Sequence, residues 1–346
     1  MAKPTQPERR RSLQRWRAER DRIGRGERVL PGLWRLRLPL PWPGVPHCNA
    51  YAIAAGDGFV LVDTGAFEPG SMGHLERALE QVGLRVEDVR LIVCTHAHAD
   101  HCGQAAIVAE RAGCEVWMHP RADHLFKQAE DPEAVLSRRL EIARQSGVPA
   151  APLERWVQAR RGQGPLVSLP LEIARELVPG VEVETDLGTF SVIETPGHAP
   201  SHVCLHQPDR RLLMSGDHLL GRVSLYFDVG WSDDPVGEFL ESLERVDALD
   251  ARLALSGHGR PFTDVRGHVE ANQALVAGQL VKLRTLLAGE TLSAFELAPR
   301  LFGDAFGAAT GAWLFTETMA FLKHLERRGE AGRVAGEADG EAWTAA

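Results

Sequence analysis

Four side chains that can ligate a metal fall within six residues of this chain. They are His96, His98, Asp100 and His101, in Thr95-His96-Ala97-His98-Ala99-Asp100-His101. Imidazole nitrogens and a carboxylate oxygen suit zinc, and also manganese or iron. His and Asp are uncommon enough that H-x-H-x-D-H arises by chance in roughly one chain in a thousand of this length. Satisfied surface histidines give no reason for that spacing. A metal held there would acidify a water or polarise a substrate oxygen.

Three later segments share one local form: an apolar run, then small residues, then a candidate ligand. They are Thr195-Pro196-Gly197-His198, Ser215-Gly216-Asp217-His218 and Ser256-Gly257-His258-Gly259. Small residues let the backbone turn sharply beside a metal. Asp63 ends the buried run Phe59-Val60-Leu61-Val62, where it can orient a ligand histidine or the motif backbone. His202, four residues beyond His198, suits substrate contact, metal support or packing equally. His218 reads as structural, and His119 and His124 have no spacing that argues for a role.

The elements that must position these residues follow from periodicity. Leu33-Trp34-Arg35-Leu36-Arg37-Leu38 alternates as a half-buried strand. Tyr51-Ala52-Ile53-Ala54, the turn Gly56-Asp57-Gly58 and Phe59–Val62 read as a hairpin. Leu91–Cys94, a helix over 103–112 and Val116–His119 form a β-α-β unit with the histidine cluster in its first loop. Residues 121–180 break the alternation and read as a helical insertion, with Asp131-Pro132 opening one helix and Gly147 ending it. A second helix spans Pro152–Arg161. Strand patterning resumes at Val181-Glu182-Val183 and runs from Phe190 to Thr195. After His258 the strands are expected to stop, giving way to helices over 269–287, from Ser293 and over 310–328, with a frayed tail.

These five ordered motifs, Leu61–Gly65, His96–His101, Thr195–His202, Ser215–Leu219 and Ser256–Gly259, resemble those of the metallo-β-lactamase superfamily of dinuclear hydrolases. The resemblance covers about 29–260. It implies an α+β fold: an αββα four-layer sandwich with the metals at one edge. It implies that His96, His98 and His198 bind one metal, that Asp100, His101 and His258 bind a second, and that Asp217 bridges them. A hydroxide shared by two divalent ions, Zn²⁺ foremost with Mn²⁺ or Fe²⁺ open, would attack a carbonyl or phosphoryl centre, and Asp100 would handle a proton. Seven ligands exceed the four of a closed structural zinc.

Among the subgroups, exported β-lactamases lack the bridging aspartate, and acyl-homoserine lactonases carry a tyrosine where this chain has Leu220. Tyr226, the only tyrosine nearby, is a candidate substrate contact. Glutathione-binding basic residues of the glyoxalase II type are not identifiable. The whole chain resembles most the subgroup with a small C-terminal helical, winged-helix-like domain. The expected organisation is a charged N-terminal extension (1–28), a catalytic domain (29–268, with 121–180 as a lid) and the C-terminal domain (269–346). Trp156 is a candidate apolar wall of the lid, and Arg155, Arg160 and Arg161 could meet an anion.

The function this implies is hydrolysis of an ester-type bond, an acyl thioester or a lactone. Alternatives are a metal-dependent endoribonuclease or phosphodiesterase, and an iron-dependent enzyme like the persulfide dioxygenases. Lys and Arg total 39 against 47 Asp and Glu, a net charge of −8, which disfavours a nucleic-acid partner. A small-molecule acyl substrate is the expected partner, and a homodimer is possible. No apolar run nears the roughly 20 residues of a membrane span. The five cysteines are odd in number and, with no apolar signal core, are not a disulfide framework; the expected compartment is the cytoplasm. Cys102, directly after His101, reads as a packed thiol rather than a ligand.

Overall fold

The computed structural model of the chain describes residues 24–346 except 43–44, 161–163, 165, 308–309 and 337–339. Two sheets lie face to face. The first has seven strands in sequential order: β1 (Arg25–Leu30), β2 (Leu33–Trp42), β3 (Val45–Ala55), β4 (Gly58–Val62), β5 (Val89–Val93), β6 (Glu115–Met118) and β7 (Arg175–Glu176). β1 to β4 pair antiparallel and β4 to β7 parallel. The second sheet runs β12 (Leu253–Ser256), β11 (Leu212–Gly216), β10 (Val203–Gln207), β9 (Phe190–Glu194) and β8 (Glu182–Val183).

The period of two along each strand assigns its side chains to two different cores. In β4, Val60 and Val62 face the other sheet and pack with Tyr51, Val93, Phe190, Leu205 and Met214. Phe59 and Leu61 face outward, onto helices α1 (Ser71–Glu80) and α3 (Ala105–Ala112), through Leu75, Leu79 and Val108. The one-turn helix α2 (Ala99–Cys102) carries part of the histidine cluster. On the far side, Leu213 and Ala254 of the second sheet meet α7 (Pro235–Asp247). The layers are therefore helix, sheet, sheet, helix, an α+β sandwich.

The 121–180 segment holds α4 (Asp123–Glu130), α5 (Pro132–Gln145) and α6 (Ala150–Arg160). Asp131 caps α5 by accepting from the Ala134 N–H at 2.9 Å. β7 interrupts this helical segment; two residues are too few to show a period. After β12 come α8 (Val265–Leu287), α9 (Ala294–Phe302, opened by a Ser293/Glu296 capping box) and α10 (Gly311–Arg327). Leu283, Leu297 and Phe321 of these helices share one buried cluster with Leu213, Val236 and Phe239.

Two expectations need correction. Among the described residues the first strand begins at Arg25, inside the stretch read as a charged extension. β1 is an edge strand with little burial, so it needs no apolar alternation. The rest of that extension, residues 1–23, lies outside the described residues. Nor do strands stop at His258: β13 (Ala331–Ala335) and β14 (Glu341–Ala345) form a hairpin after α10. The tail is not frayed, because Trp343 is 2% exposed and its backbone pairs with Leu292. One buried indole anchors residues whose composition otherwise reads as a loose end.

Candidate metal centre

β4 and β5 run parallel; β9 and β11 are both antiparallel to β10 and so parallel to each other, and β12 is parallel to β11. All five release their ligand-bearing loops at their C-terminal ends. Asp63 follows β4, the histidine cluster follows β5, His198 follows β9, and Asp217 and His258 follow β11 and β12. Backbone bonds tie these ends across the sheets: the Val203 N–H donates to Thr95 O at 2.8 Å and the Asn49 N–H to Gly257 O at 2.6 Å. A Cβ on Gly257 would collide with the Asp217 carboxylate, so this loop requires glycine for close approach.

The donor atoms gather into two trios. His98 Nδ1 lies 3.0 Å from both His96 Nε2 and His198 Nε2. Asp100 Oδ2 lies 3.3 Å from His258 Nε2 and 3.6 Å from His101 Nε2. Asp217 sits between them: its Oδ2 is 3.6 Å from His198 Nε2 and 3.1 Å from His258 Nε2, and its Oδ1 is 3.5 Å from His101 Nε2. The seven residues singled out by the sequence thus converge at one point.

Hydrogen bonds at the outer nitrogens fix every tautomer. Thr95 Oγ1 donates its single proton to Asp63 Oδ2 at 2.9 Å, so it must accept from His96 Nδ1 at 3.0 Å. His98 Nε2–H donates to Asp228 Oδ2 at 3.1 Å, and His101 Nδ1–H to Asp63 Oδ2 at 2.8 Å. His198 and His258 donate through Nδ1 to the carbonyls of Tyr226 (3.2 Å) and His47 (2.8 Å). In its neutral form each imidazole therefore turns a lone pair inward. The lone pair of His98, 3.0 Å from those of His96 and His198, repels both unless a cation lies among them.

The donor set fits divalent ions in other respects. His101 Nε2 and Asp217 Oδ1 are buried with no hydrogen-bond partner. Burial, then neighbouring His98, pushes His198 down to about 3, so it stays neutral and able to ligate. Burial would lower His258 and raise Asp100; the Asp217 and Asp100 charges instead hold His258 up at about 10, and His101 and His258 bring Asp100 down to about 2. The acidic half of the site is thus built for positive charge, with nitrogen and oxygen donors that suit zinc, manganese or iron.

The profile of the metallo-beta-lactamase superfamily matches residues 43–258, from the end of β2 to the last ligand. This chain belongs to the metallo-β-lactamase superfamily. A probable metallo-hydrolase of Bacillus subtilis, YqjP, is 25% identical over 276 residues, covering 77% of this chain and 84% of the relative. An atrochrysone carboxyl ACP thioesterase of Aspergillus fumigatus is 29% identical over 138 residues, 40% of each chain. The crystal structure of a metallo-beta-lactamase family protein from Thermus thermophilus superposes with a TM-score of 0.78 at 30% identity, covering 92% of this chain and 100% of that one. A beta-lactamase domain protein from Burkholderia ambifaria gives a TM-score of 0.81 at 26% identity over 94% of this chain and 95% of its own.

Around the superfamily ligand pattern the supporting residues divide clearly. Asp63 (φ +61°) accepts from the Thr95 N–H at 2.8 Å while holding His101, so it orients both a ligand and the motif backbone. His202 is 1% exposed. Its Nε2 accepts from the Asp217 N–H at 3.0 Å and its Nδ1–H donates to Thr195 Oγ1 at 2.8 Å, so it sets the backbone of Asp217. The Tyr226 ring lies 5.4 Å from that of His198 and 5.9 Å from that of His98. Cys102 is fully buried and donates its thiol to His98 O at 3.2 Å; it is not a ligand. His119 bonds Glu194 at 3.0 Å, away from the centre, and His218 packs on Phe239.

Sequence reasoning missed Asp228, which holds His98, and His124, whose ring lies 5.8 Å from that of His98. Neither follows a strand or a small-residue turn, so no periodic signal marks them. Arg155 is exposed, and Arg161 and the Arg160 side chain lie outside the described residues. Trp156 does not line the cleft beside the metal centre; Trp231 does.

Proposed function

We propose that this metal-dependent hydrolase uses two divalent ions, zinc by preference, to cleave an ester-type bond in an acyl thioester or lactone. The observation that carries the reading is the placement of Asp217 between two complete trios of donors. When bound, such ions supply Lewis acidity and bring the pKa of water from 15.7 towards about 7. His96, His98 and His198 would hold one ion, Asp100, His101 and His258 the other, and Asp217 both.

The chain's own groups do the rest. Asp63, Asp228, Thr95 and the carbonyls of His47 and Tyr226 keep the five imidazoles aimed inward. Asp100, kept ionised by His101 and His258, accepts the proton shed by the attacking water and returns it to the leaving thiolate or alkoxide. The ring of Tyr226 walls the side of His98 and His198 where the acyl group would lie. The thioesterase relative supports the thioester class. The net charge of −8 weighs against a polynucleotide substrate.

The test is metal content by mass spectrometry together with a panel of acyl-CoA, S-lactoylglutathione, homoserine lactones, bis(p-nitrophenyl) phosphate and single-stranded RNA. Two ions per chain with turnover confined to acyl compounds supports the reading. A single iron, or cleavage confined to phosphodiesters, overturns it.

A further inference from the structure

The loop that holds two ligand histidines continues into a cleft. Tyr226 O and Asp228 fix His198 and His98; Val229, Gly230 and Trp231 then form one wall of a cavity of about 270 Å³. The His124 ring bridges the two places, 5.8 Å from His98 and 5.9 Å from Trp231. The opposite wall is built from α4 and α5. Helix α5 has no buried residue; its Val135 and Ile142 line the cleft, and Ile142 also packs against the core shared with the C-terminal helices.

The rim is basic. Lys127 Nζ lies 5.5 Å and Arg138 Cζ 6.0 Å from the centre of the Trp231 ring, so two cations converge on one indole. Arg139 also lines the cleft. Two carboxylates, Glu130 and Asp131 (which also caps α5), line the cleft against the three cations. Lys127 has Asp123 at 3.7 Å, but among the described residues Arg138 has no carboxylate partner. An apolar slot that lies one imidazole, His124, away from His98 and ends at converging cations matches one kind of ligand.

We propose that this cleft is the specificity site for the hydrolase reading given above, on which it rests. It takes an apolar arm of the substrate whose far end carries an anion, bound by Lys127 and Arg138. That anion can be a carboxylate on the acyl arm or a phosphate on the thiol side. The volume, just under the usual range for small-molecule pockets, suits a short alkyl or aryl arm.

The experiment is a titration of the metal-loaded full-length protein with hexanoate, hexyl phosphate and hexanol, followed by calorimetry, on wild type, Arg138→Ala and Trp231→Phe. At least one hexyl anion should bind more tightly than hexanol, and Arg138→Ala should weaken that anion about tenfold while leaving hexanol unchanged. Trp231→Phe keeps an aromatic wall and should weaken anion and alcohol only slightly. Equal binding of anions and alcohol to wild type, or an Arg138→Ala variant that binds the anions normally, overturns the proposal. These outcomes do not depend on turnover, so a protein that binds hexyl anions as described but hydrolyses no thioester refutes the reaction and retains the cleft. Kinetics of adipyl and hexanoyl thioesters of N-acetylcysteamine and of hexanoyl-CoA then locate the anion. A KM raised in Arg138→Ala for the adipyl compound alone assigns the acyl carboxylate, and for the CoA ester alone the thiol-side phosphate. No change for any of them overturns the assignment.

Discussion

Asp228 Oδ2 lies 3.1 Å from Nε2 of His98, across 130 residues of chain. That bond decides which nitrogen of His98 faces His96 and His198. Asp228→Asn removes the charge and lets the amide present either face to the ring. Metal affinity at the three-histidine position should fall on the order of 10- to 100-fold, as for other residues that orient a ligand. Competition titration with a chromogenic chelator checks this; an unchanged affinity would show that His98 is oriented by something else.

Asp217 is the one side chain shared by the two trios. Asp217→Asn should reduce turnover more than about a hundredfold, or about 2.7 kcal/mol in barrier. The circular dichroism spectrum should be unchanged. Near-normal turnover by this variant would be incompatible with a two-metal reaction.

The loop from Leu225 to Asp234 is gripped by α10 at three points. Trp313 Nε1–H donates to Leu225 O at 2.6 Å, Lys323 Nζ to Ser232 O at 3.2 Å, and His324 Nδ1 meets Asp234 Oδ1 at 2.9 Å. Trp313→Phe keeps the ring but leaves the buried Leu225 end of the loop short of a donor. It should cost about 1–3 kcal/mol in urea unfolding. It should also weaken metal binding, because the same loop carries Tyr226 O and Asp228. Lost stability with undiminished metal affinity would separate the C-terminal helices from the site.

Glu317 on α10 is 4% exposed, and burial raises its carboxyl from 4.5 to about 8. Between those values the folded chain keeps a proton that the unfolded chain has lost. Stability therefore falls as pH rises through this window, by up to about 1.4 kcal/mol per unit from this group. Glu317→Gln should remove that slope and be the more stable form near pH 8. Parallel wild-type and variant curves from chemical unfolding at about pH 5, 6.5 and 8 would assign the pH dependence elsewhere.

Local chemistry made much of this protein legible. The alternation in β2, the buried apolar runs of β4 and β5, the turn at Gly56–Gly58, the Asp131-Pro132 helix start and the Ser293/Glu296 capping box are short-range signals, and the elements form there. The histidine cluster and the three glycine-flanked ligand loops were legible for the same reason. A ligand at a strand end needs its small residues within one or two positions of itself.

What was illegible depends on distant partners. β1 is polar because its edge position needs no core, and the tail is ordered by one tryptophan against Leu292. Asp228, His124 and Trp231 gain their positions only because α10 and α4 close on their loop. Four of the five proton positions at the metal centre likewise belong to acceptors far away in the chain, the exception being His96, whose acceptor is the adjacent Thr95. The sequence by itself determined the ligand types and the strands that present them, since spacing and periodicity act over a few residues. Only the tertiary structure decided which nitrogen each histidine turns inward and what lines the cleft beside them. Those outcomes come from side chains that fold together from opposite ends of the molecule.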